Sequence, residues 1–213
     1  MYINENLKRF LSSVILLLLI FYIMQNSLLL FNIFLFILLI ISIYEFCHFR
    51  FNKLIIFFGC ICLLFSFYCV YLFRNANNEY SMFYFSLVII TCISTDIGGF
   101  IFGKLIKGPK ITKISPNKTY AGVFGSYFLS IISFYFFLDY SNKQIFFSIE
   151  FVLIIILISS ISQLGDLIIS FFKRVSNIKD TGKIIPGHGG LLDRIDGMIF
   201  AFPTTYLFFV LWE

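Results

Sequence analysis

Charged residues are concentrated in one stretch of this chain, residues 166–197, which reads DLIISFFKRVSNIKDTGKIIPGHGGLLDRIDG. Apolar runs long enough for membrane helices lie on both sides of it. Ionisable groups are rare next to the hydrocarbon layer of a membrane unless they pair with one another or have a function. Phosphate groups and a divalent cation are the ligands that this mixture of carboxylates and cations would suit.

Two carboxylates near the end of the stretch, Asp193 and Asp196, are three residues apart. On a helix this spacing places both on one face, where like charges repel unless a cation lies between them. Asp166 belongs to the preceding predicted helix, at the end that faces the same side of the membrane. Because Mg²⁺ is usually held by one or two carboxylates together with substrate phosphates and water, we predict a metal site at these three residues. The alternative is an ion-pair network with Lys and Arg that only closes this face.

The loop between these carboxylates holds one histidine among three glycines, in residues 186–190. Glycine frees the backbone to present its N–H groups, and the next helix is predicted to begin near residues 190–192. The amides and the dipole of a helix N-terminus favour an anion. His188 can donate to a phosphate oxygen, and a solvated loop histidine is the alternative.

A second polar segment, residues 103–122, holds five lysines. Attraction to anionic lipid headgroups is one interpretation, worth about 1 kcal/mol per basic residue. Specific contact with the phosphates of a nucleotide is the other. Residues 115–119 are compact enough to be a formed turn, and Ser115, Lys118 and Thr119 are its predicted phosphate donors.

Three further acids lie in or beside apolar runs. Asp96 is followed by Ile97, Gly98 and Gly99, a pattern that fits either a ligand-facing acid or a glycine stripe for helix packing with one satisfied carboxylate. Glu45 and Glu150 lie near the ends of their spans, where an acid can reach the membrane surface. We predict no special role for these two glutamates.

The elements that must position these groups are membrane helices. The chain has 213 residues, of which 60% are hydrophobic and 13% charged, whereas soluble domains carry about 25% charged residues. A spanning helix needs about 20 apolar residues. The candidate spans are residues 10–25, 28–47, 54–73, 80–103, 120–138, 145–170 and 191–212. We favour a hairpin over one broken helix for residues 10–47.

The distribution of positive charge predicts the orientation of these spans. With the N-terminus in the cytoplasm, all but two of the 16 Lys and Arg residues fall on the cytoplasmic side, the exceptions being Arg74 and Lys143. We therefore predict an all-α polytopic bundle of about seven transmembrane helices with a cytoplasmic N-terminus. Residues 1–79 would be N-terminal helices and residues 80–213 the catalytic region of a single membrane domain. Both polar segments then face the cytoplasm.

The residues just described resemble the signature of the bacterial phosphatidate cytidylyltransferase (CDP-diacylglycerol synthase) family. That signature runs S-x-x-K-R-x-x-x-x-K-D-x-x-x-x-x-[PGS]-x-H-G-G-x-x-D-R-x-D, and residues 170–196 match every fixed position. Gly165 and Asp166, and the block from Asp96 to Gly122, add to the similarity. Two positions depart from the family pattern. Ala121 stands where members often have Glu, and Lys104 stands where many have Arg, which keeps the charge but loses a bidentate phosphate contact.

The resemblance implies an enzyme that transfers CMP from CTP to phosphatidate, giving CDP-diacylglycerol and pyrophosphate for phospholipid biosynthesis. It also implies Mg²⁺ with a second cation such as K⁺, and a homodimer in the bacterial cytoplasmic membrane whose active site faces the cytoplasm. The expected partners are the two substrates and membrane lipids. No nucleic acid partner is expected. The predicted catalytic residues are Asp166, Asp193, Asp196, Lys173, Arg174 and His188. The predicted substrate contacts are Lys179, Asp180, Arg194, Ser115, Lys118, Thr119 and Asp96.

Three other classes of membrane protein are alternatives. A transporter or channel with an acidic pathway would place its charges near the middle of the membrane, whereas here they cluster at one face. CDP-alcohol phosphotransferases have a different acidic motif, which is absent. A related lipid-alcohol kinase should lack the histidine, glycine and aspartate pattern of residues 188–196.

Overall fold

The computed structural model describes residues 27–76, 79–112, 115, 118–141, 148–182, 184 and 189–212. Within these ranges the chain forms six helices, joined by loops that include one isolated pair of bridged residues. The helices are α1 (Leu28–Cys47), α2 (Lys53–Asn75), α3 (Glu79–Leu105), α4 (Tyr120–Ser141), α5 (Ile149–Val175) and α6 (Leu192–Trp212).

The described helices agree with the predicted spans to within a few residues at each end. Five of them, α1 to α5, are long and apolar enough to cross a membrane. The described part of the chain is therefore that of a helical integral membrane protein, as predicted. The first predicted span, residues 10–25, lies outside the described residues, as does the choice between a hairpin and a broken helix. The total of seven spans and the orientation of the N-terminus stay predictions.

The chain divides into two compact units. The first contains the chain up to Asn75 together with Phe172–Ile195, and the second contains Ala76–Phe171 together with the chain from Asp196 onward. The division at residues 79 and 80 that the sequence suggested stays a prediction.

In the first unit α1 and α2 run antiparallel. Asn32, near the start of α1, exchanges two side-chain hydrogen bonds of 3.1 and 3.0 Å with Asn75 at the end of α2. At the other end of α1, the ring of Phe172 packs against three neighbouring aromatic rings with centroid distances of 5.1 to 6.3 Å. These rings are Phe46, Phe49 and Phe51. Phe172, near the end of α5, thereby packs against the end of α1 and the residues that follow it.

The end of α5 is fixed by a Schellman motif. Asn177 has a positive φ of 58°, a left-handed conformation that Asn tolerates better than most residues. The N–H of Ile178 donates to the carbonyl of Lys173 at 2.9 Å, and the N–H of Asn177 donates to the carbonyl of Arg174 at 3.1 Å. The helix therefore stops after Val175, and Lys173 and Arg174 lie in its last turn.

In the second unit α3 and α4 pack through glycines. A Cβ on Gly98 would lie 2.4 Å from the carbonyl oxygen of Gly125, and one on Gly122 would lie 2.9 Å from the carbonyl oxygen of Gly99. Both distances are shorter than real Cβ contacts allow. The glycines that follow Asp96 therefore serve helix packing, which was one of the two interpretations of the sequence.

Hydroxyl groups connect the helices of the second unit where α3 and α4 meet α5. The Thr95 hydroxyl donates to Ser159 at 2.8 Å, and the Ser126 hydroxyl donates to the Thr95 carbonyl at 2.7 Å. Tyr127 and Ser160 share a hydrogen bond of 2.9 Å between α4 and α5. Thr95, Ser126 and Ser159 are buried, so these bonds satisfy polar groups that would otherwise be costly in an apolar interior.

Candidate functional site

Asp193, in the first turn of α6, is the most tightly held of the predicted carboxylates. Its side chain is 8% exposed. The Oδ1 atom accepts a charge-assisted hydrogen bond from Lys173 Nζ at 2.8 Å. The Oδ2 atom accepts from the backbone N–H groups of Thr181 at 2.9 Å and Gly190 at 3.1 Å. Three donors from separate parts of the segment therefore fix both oxygens.

The start of α6 is bound by an acid to which the sequence analysis gave no role. Glu45 was expected to reach the membrane surface, but it is 1% exposed and that expectation is wrong. Its Oε1 accepts from the N–H of Leu191 at 2.9 Å. Its Oε2 accepts from the N–H of Leu192 at 2.8 Å and from the Thr181 hydroxyl at 2.9 Å. The first amides of a helix lack partners within it, and a carboxylate at this end also suits the helix dipole.

Hydropathy could not predict this contact, because an acid one turn from a helix end can lie at the membrane surface or inside the protein. The sequence analysis correctly predicted an anion at the start of α6. That anion is the Glu45 carboxylate, which accepts from the amides of Leu191 and Leu192.

This loop requires glycines because side-chain oxygens approach its backbone closely. A Cβ on Gly190 would lie 2.0 Å from the Thr181 hydroxyl oxygen and 2.6 Å from Glu45 Oε2. A Cβ on Gly182 would lie 2.5 Å from Glu45 Oε1. Gly189 has a φ of +85°, which other residues rarely adopt. The small residues therefore let two buried carboxylates approach the backbone directly.

The other predicted cations of the first unit are at its surface. Arg174, Lys179 and Arg194 are exposed, and so is Asp180. Asp180 is held beside the loop glycines, since a Cβ on Gly189 would lie 3.4 Å from the Cβ of Asp180. His188 lies outside the described residues, and its role stays a prediction.

Asp166 is the centre of a second polar cluster, in the second unit. Lys118 Nζ lies 2.5 Å from Asp166 Oδ2 and donates to the carbonyl of Gln163 at 3.3 Å. The Ser170 hydroxyl donates to Asp166 Oδ1 at 3.3 Å. This pair is partly open to its surroundings, with side chains 24% and 32% exposed. The turn lysine and the helix aspartate, far apart in sequence, are thus brought together.

Asp196 lies against Asp166 in the same cluster. The carboxyl groups of Asp196 and Asp166 lie close enough to interact electrostatically, and Asp96 also contributes to the electrostatic field at Asp196. Its Oδ1 accepts from the N–H of Gly197 at 2.9 Å. Close packing of α5 and α6 explains the proximity, because a Cβ on Gly165 would lie 2.9 Å from the carbonyl oxygen of Asp196.

Two adjacent carboxyl groups have the oxygen donors that a hard divalent cation prefers, so the chemistry of Asp166 and Asp196 fits such an ion. Within the described ranges, however, no three or more His, Cys, Asp or Glu side chains are grouped to hold a metal ion. The assignment of a metal to Asp166, Asp193 and Asp196 together stays a prediction.

The described residues of the lysine-rich segment form a hydrogen-bonded turn, as predicted. Lys110 and Thr119 form an antiparallel bridge, and the N–H of Ile111 donates to the carbonyl of Lys118 at 3.0 Å. The N–H of Lys118 donates to the carbonyl of Ser115 at 3.1 Å, which closes the turn. The Thr119 hydroxyl accepts from a backbone N–H of α4 at 3.1 Å, so it caps that helix, a role the sequence analysis did not predict.

Comparison with known proteins shows which family the chain is related to. The sequence profile of the Cytidylyltransferase family matches residues 50–212. The phosphatidate cytidylyltransferase of Staphylococcus aureus (strain COL) is 37% identical over 141 residues, which are 64% of this chain and 51% of the relative. Those of Staphylococcus haemolyticus and Staphylococcus epidermidis are 38% identical over 141 and 143 residues, with the same coverage.

The chain thus spans about half the length of the curated relatives it matches. The family profile, by contrast, covers most of the chain and includes every residue that the sequence analysis assigned to the site. The chain belongs to the cytidylyltransferase family.

Proposed function

We propose that the chain catalyses the transfer of CMP from CTP to phosphatidate, forming CDP-diacylglycerol and pyrophosphate. The observation that carries this proposal is the family match over residues 50–212, together with relatives named phosphatidate cytidylyltransferase. The pairing of Lys173 with Asp193 supports it, because both residues belong to the family motif and their side chains are largely buried.

The proposed reaction needs charge neutralisation more than proton transfer. A phosphate monoester has a second pKa of about 6, so phosphatidate is already mostly a dianion near neutral pH. One of its oxygens attacks the α-phosphorus of CTP. A new P–O bond forms, the bond from that phosphorus to the bridging oxygen of the β-phosphate breaks, and pyrophosphate leaves with the electron pair. The main obstacle is the approach of a dianion to a polyanion.

The cations of the chain would remove that obstacle. Arg174, Lys179 and Arg194 are exposed near the loop and can reach phosphates, whereas Lys173 is held on Asp193. In the second unit Lys118 is partly exposed at the Asp166 cluster. Arg adds planar, bidentate recognition of phosphate oxygens, and Lys adds a compact charge.

Mg²⁺ is the proposed cofactor, held by Asp166, Asp193 and Asp196, and the family resemblance suggests K⁺ as a second cation. When bound, the ion would neutralise phosphate charge and align the in-line attack. The adjacent carboxyl groups of Asp166 and Asp196 supply oxygen donors of the required kind. Chelation of divalent cations should therefore abolish activity.

We further propose that the protein is a multi-pass homodimer of the bacterial cytoplasmic membrane. Its two polar segments would face the cytoplasm, where CTP is available. Phosphatidate would reach the site from the inner leaflet. The excess of Lys and Arg on one side of the spans supports this orientation.

A transfer assay with purified protein in detergent tests the proposal. CTP labelled at its α-phosphate is incubated with phosphatidate or, separately, with diacylglycerol, and lipids are extracted into chloroform. We expect lipid-soluble label only with phosphatidate, and none when EDTA exceeds the divalent cations. Absence of that label would contradict the transferase assignment and favour a transporter or a lipid-alcohol kinase. Undiminished activity in EDTA would contradict the metal requirement alone.

A further inference from the structure

We infer that Glu45 is a positioning residue for the reaction, which holds Asp193 and Lys173 in place without touching substrate. The inference rests on the proposed function. Glu45 lies in α1, upstream of the region that the family profile matches, and no motif pointed to it. Its contacts are 136 to 147 residues away along the chain.

The network around Glu45 and Asp193 is continuous. Thr181 donates a hydrogen bond to each carboxylate. Its N–H donates to Asp193 and its hydroxyl donates to Glu45. Three consecutive amides are likewise divided between them. The N–H of Gly190 donates to Asp193, and those of Leu191 and Leu192 donate to Glu45. A movement of Glu45 would therefore move the residues that orient Asp193.

The burial of Glu45 costs solvation free energy, which argues against a merely structural role. A carboxylate taken out of water loses several kcal/mol of solvation, which its three hydrogen bonds must offset. If only a helix cap were needed, a Ser, Thr, Asp or Asn next to the helix in sequence could accept from its first amides. A charged anchor on another membrane helix instead links the loop to α1, and ionisable groups in such helices are commonly functional.

The fit around Glu45 leaves little freedom. Cβ atoms placed on Gly182 or Gly190 would lie 2.5 and 2.6 Å from its oxygens, so the loop backbone is pressed directly against the carboxylate. Displacement of a reacting group by about 1 Å costs about 10²-fold in rate. Loss of the Glu45 contacts should therefore lower turnover more than substrate binding.

Three substitutions and one control separate positioning from simple folding. Glu45→Gln keeps the shape but aims an amide N–H at a backbone N–H that needs an acceptor. Glu45→Asp keeps the charge but withdraws it by one methylene. Thr181→Val removes the bridging hydroxyl and keeps the N–H that donates to Asp193. The matched control is Ser42→Ala, because Ser42 is equally buried in α1 and its hydroxyl donates to the Leu38 carbonyl of the same helix at 2.7 Å.

Two measurements are made on full-length protein that elutes as a single folded species in detergent. Steady-state assays give kcat and KM for CTP, and hydrogen exchange gives the protection of the amides of residues 190–192. For Glu45→Gln we expect kcat to fall roughly 10- to 100-fold with KM within about threefold of wild type. Thr181→Val should show a smaller loss, Glu45→Asp should recover part of the activity, and Ser42→Ala should match wild type. Exchange at residues 190–192 should accelerate in Glu45→Gln.

The outcomes distinguish the inference from the proposed function. An inactive wild-type protein would refute the transferase proposal itself. An active wild type with Glu45→Gln and Thr181→Val both at wild-type kcat per folded molecule would overturn the inference, even if their melting temperatures fell. Unchanged amide exchange in Glu45→Gln would overturn it independently of activity, and remains a valid test if kcat cannot be measured.

Discussion

The pairing of Lys173 with Asp193 allows a test of whether Asp193 acts in chemistry or only in structure. Asp193→Asn preserves the shape of the side chain. If the amide oxygen keeps the two backbone donors of Thr181 and Gly190, the NH₂ group must face the Lys173 ammonium. The substitution therefore removes a charge and leaves a buried cation opposite a donor.

The expected magnitude follows from burial. The two side chains are 13% and 8% exposed, so solvent screens the pair weakly. Removal of one partner from a buried pair costs about 3–5 kcal/mol, which for a chain of this length lowers the melting temperature by about 6–20 °C. Turnover should fall by about 10²- to 10³-fold, since a carboxylate of the predicted site is lost.

A double variant distinguishes the two roles. Asp193→Asn with Lys173→Met removes the unpaired cation and leaves an uncharged amide whose NH₂ has lost its partner, at a cost of about 1–3 kcal/mol. We expect a melting temperature above that of Asp193→Asn and within about 12 °C of wild type, with no recovery of CDP-diacylglycerol formation. Asp139→Asn, at an exposed acid of α4, is the matched control and should leave both quantities unchanged. Recovery of activity in the double variant would refute the catalytic assignment of Asp193.

Two further predictions concern the frame that holds the site. Thr119→Ala removes the cap of α4 and should destabilise the protein by about 1 kcal/mol in thermal unfolding, and a stability equal to wild type would contradict the capping role. Gly98→Ala places a methyl group 2.4 Å from the Gly125 carbonyl oxygen and should cost about 1–3 kcal/mol or more. Gly103→Ala, with its nearest contact at 3.3 Å, should be much milder, and equal losses for both variants would contradict the packing account.

The helices of this chain were predictable because apolar length is a strong signal in membrane proteins. Each described helix corresponds to one predicted span. Their ends were less certain, because hydropathy does not register caps. Asn177 ends α5 after Val175, five residues beyond the end that hydropathy indicated.

The candidate site was predictable only in part, for a physical reason. The motif identified Asp193 and Lys173, and the structure pairs them. Outside the motif, the sequence also indicated Lys118 and Asp166, which form a second pair. The sequence could not identify Glu45, because the donors that bind it come from a segment more than 130 residues away. Contacts between distant segments depend on packing, which local spacing does not encode.

The position of the label transferred from CTP tests the central claim most directly. Parallel reactions with phosphatidate use CTP labelled either at the α-phosphate or at the γ-phosphate. Nucleotidyl transfer predicts that the α-label enters the lipid phase as CDP-diacylglycerol and that the γ-label stays in water as pyrophosphate. A γ-label in the lipid phase would indicate phosphoryl transfer. Absence of lipid-soluble label from both labelled forms of CTP would contradict transferase activity altogether.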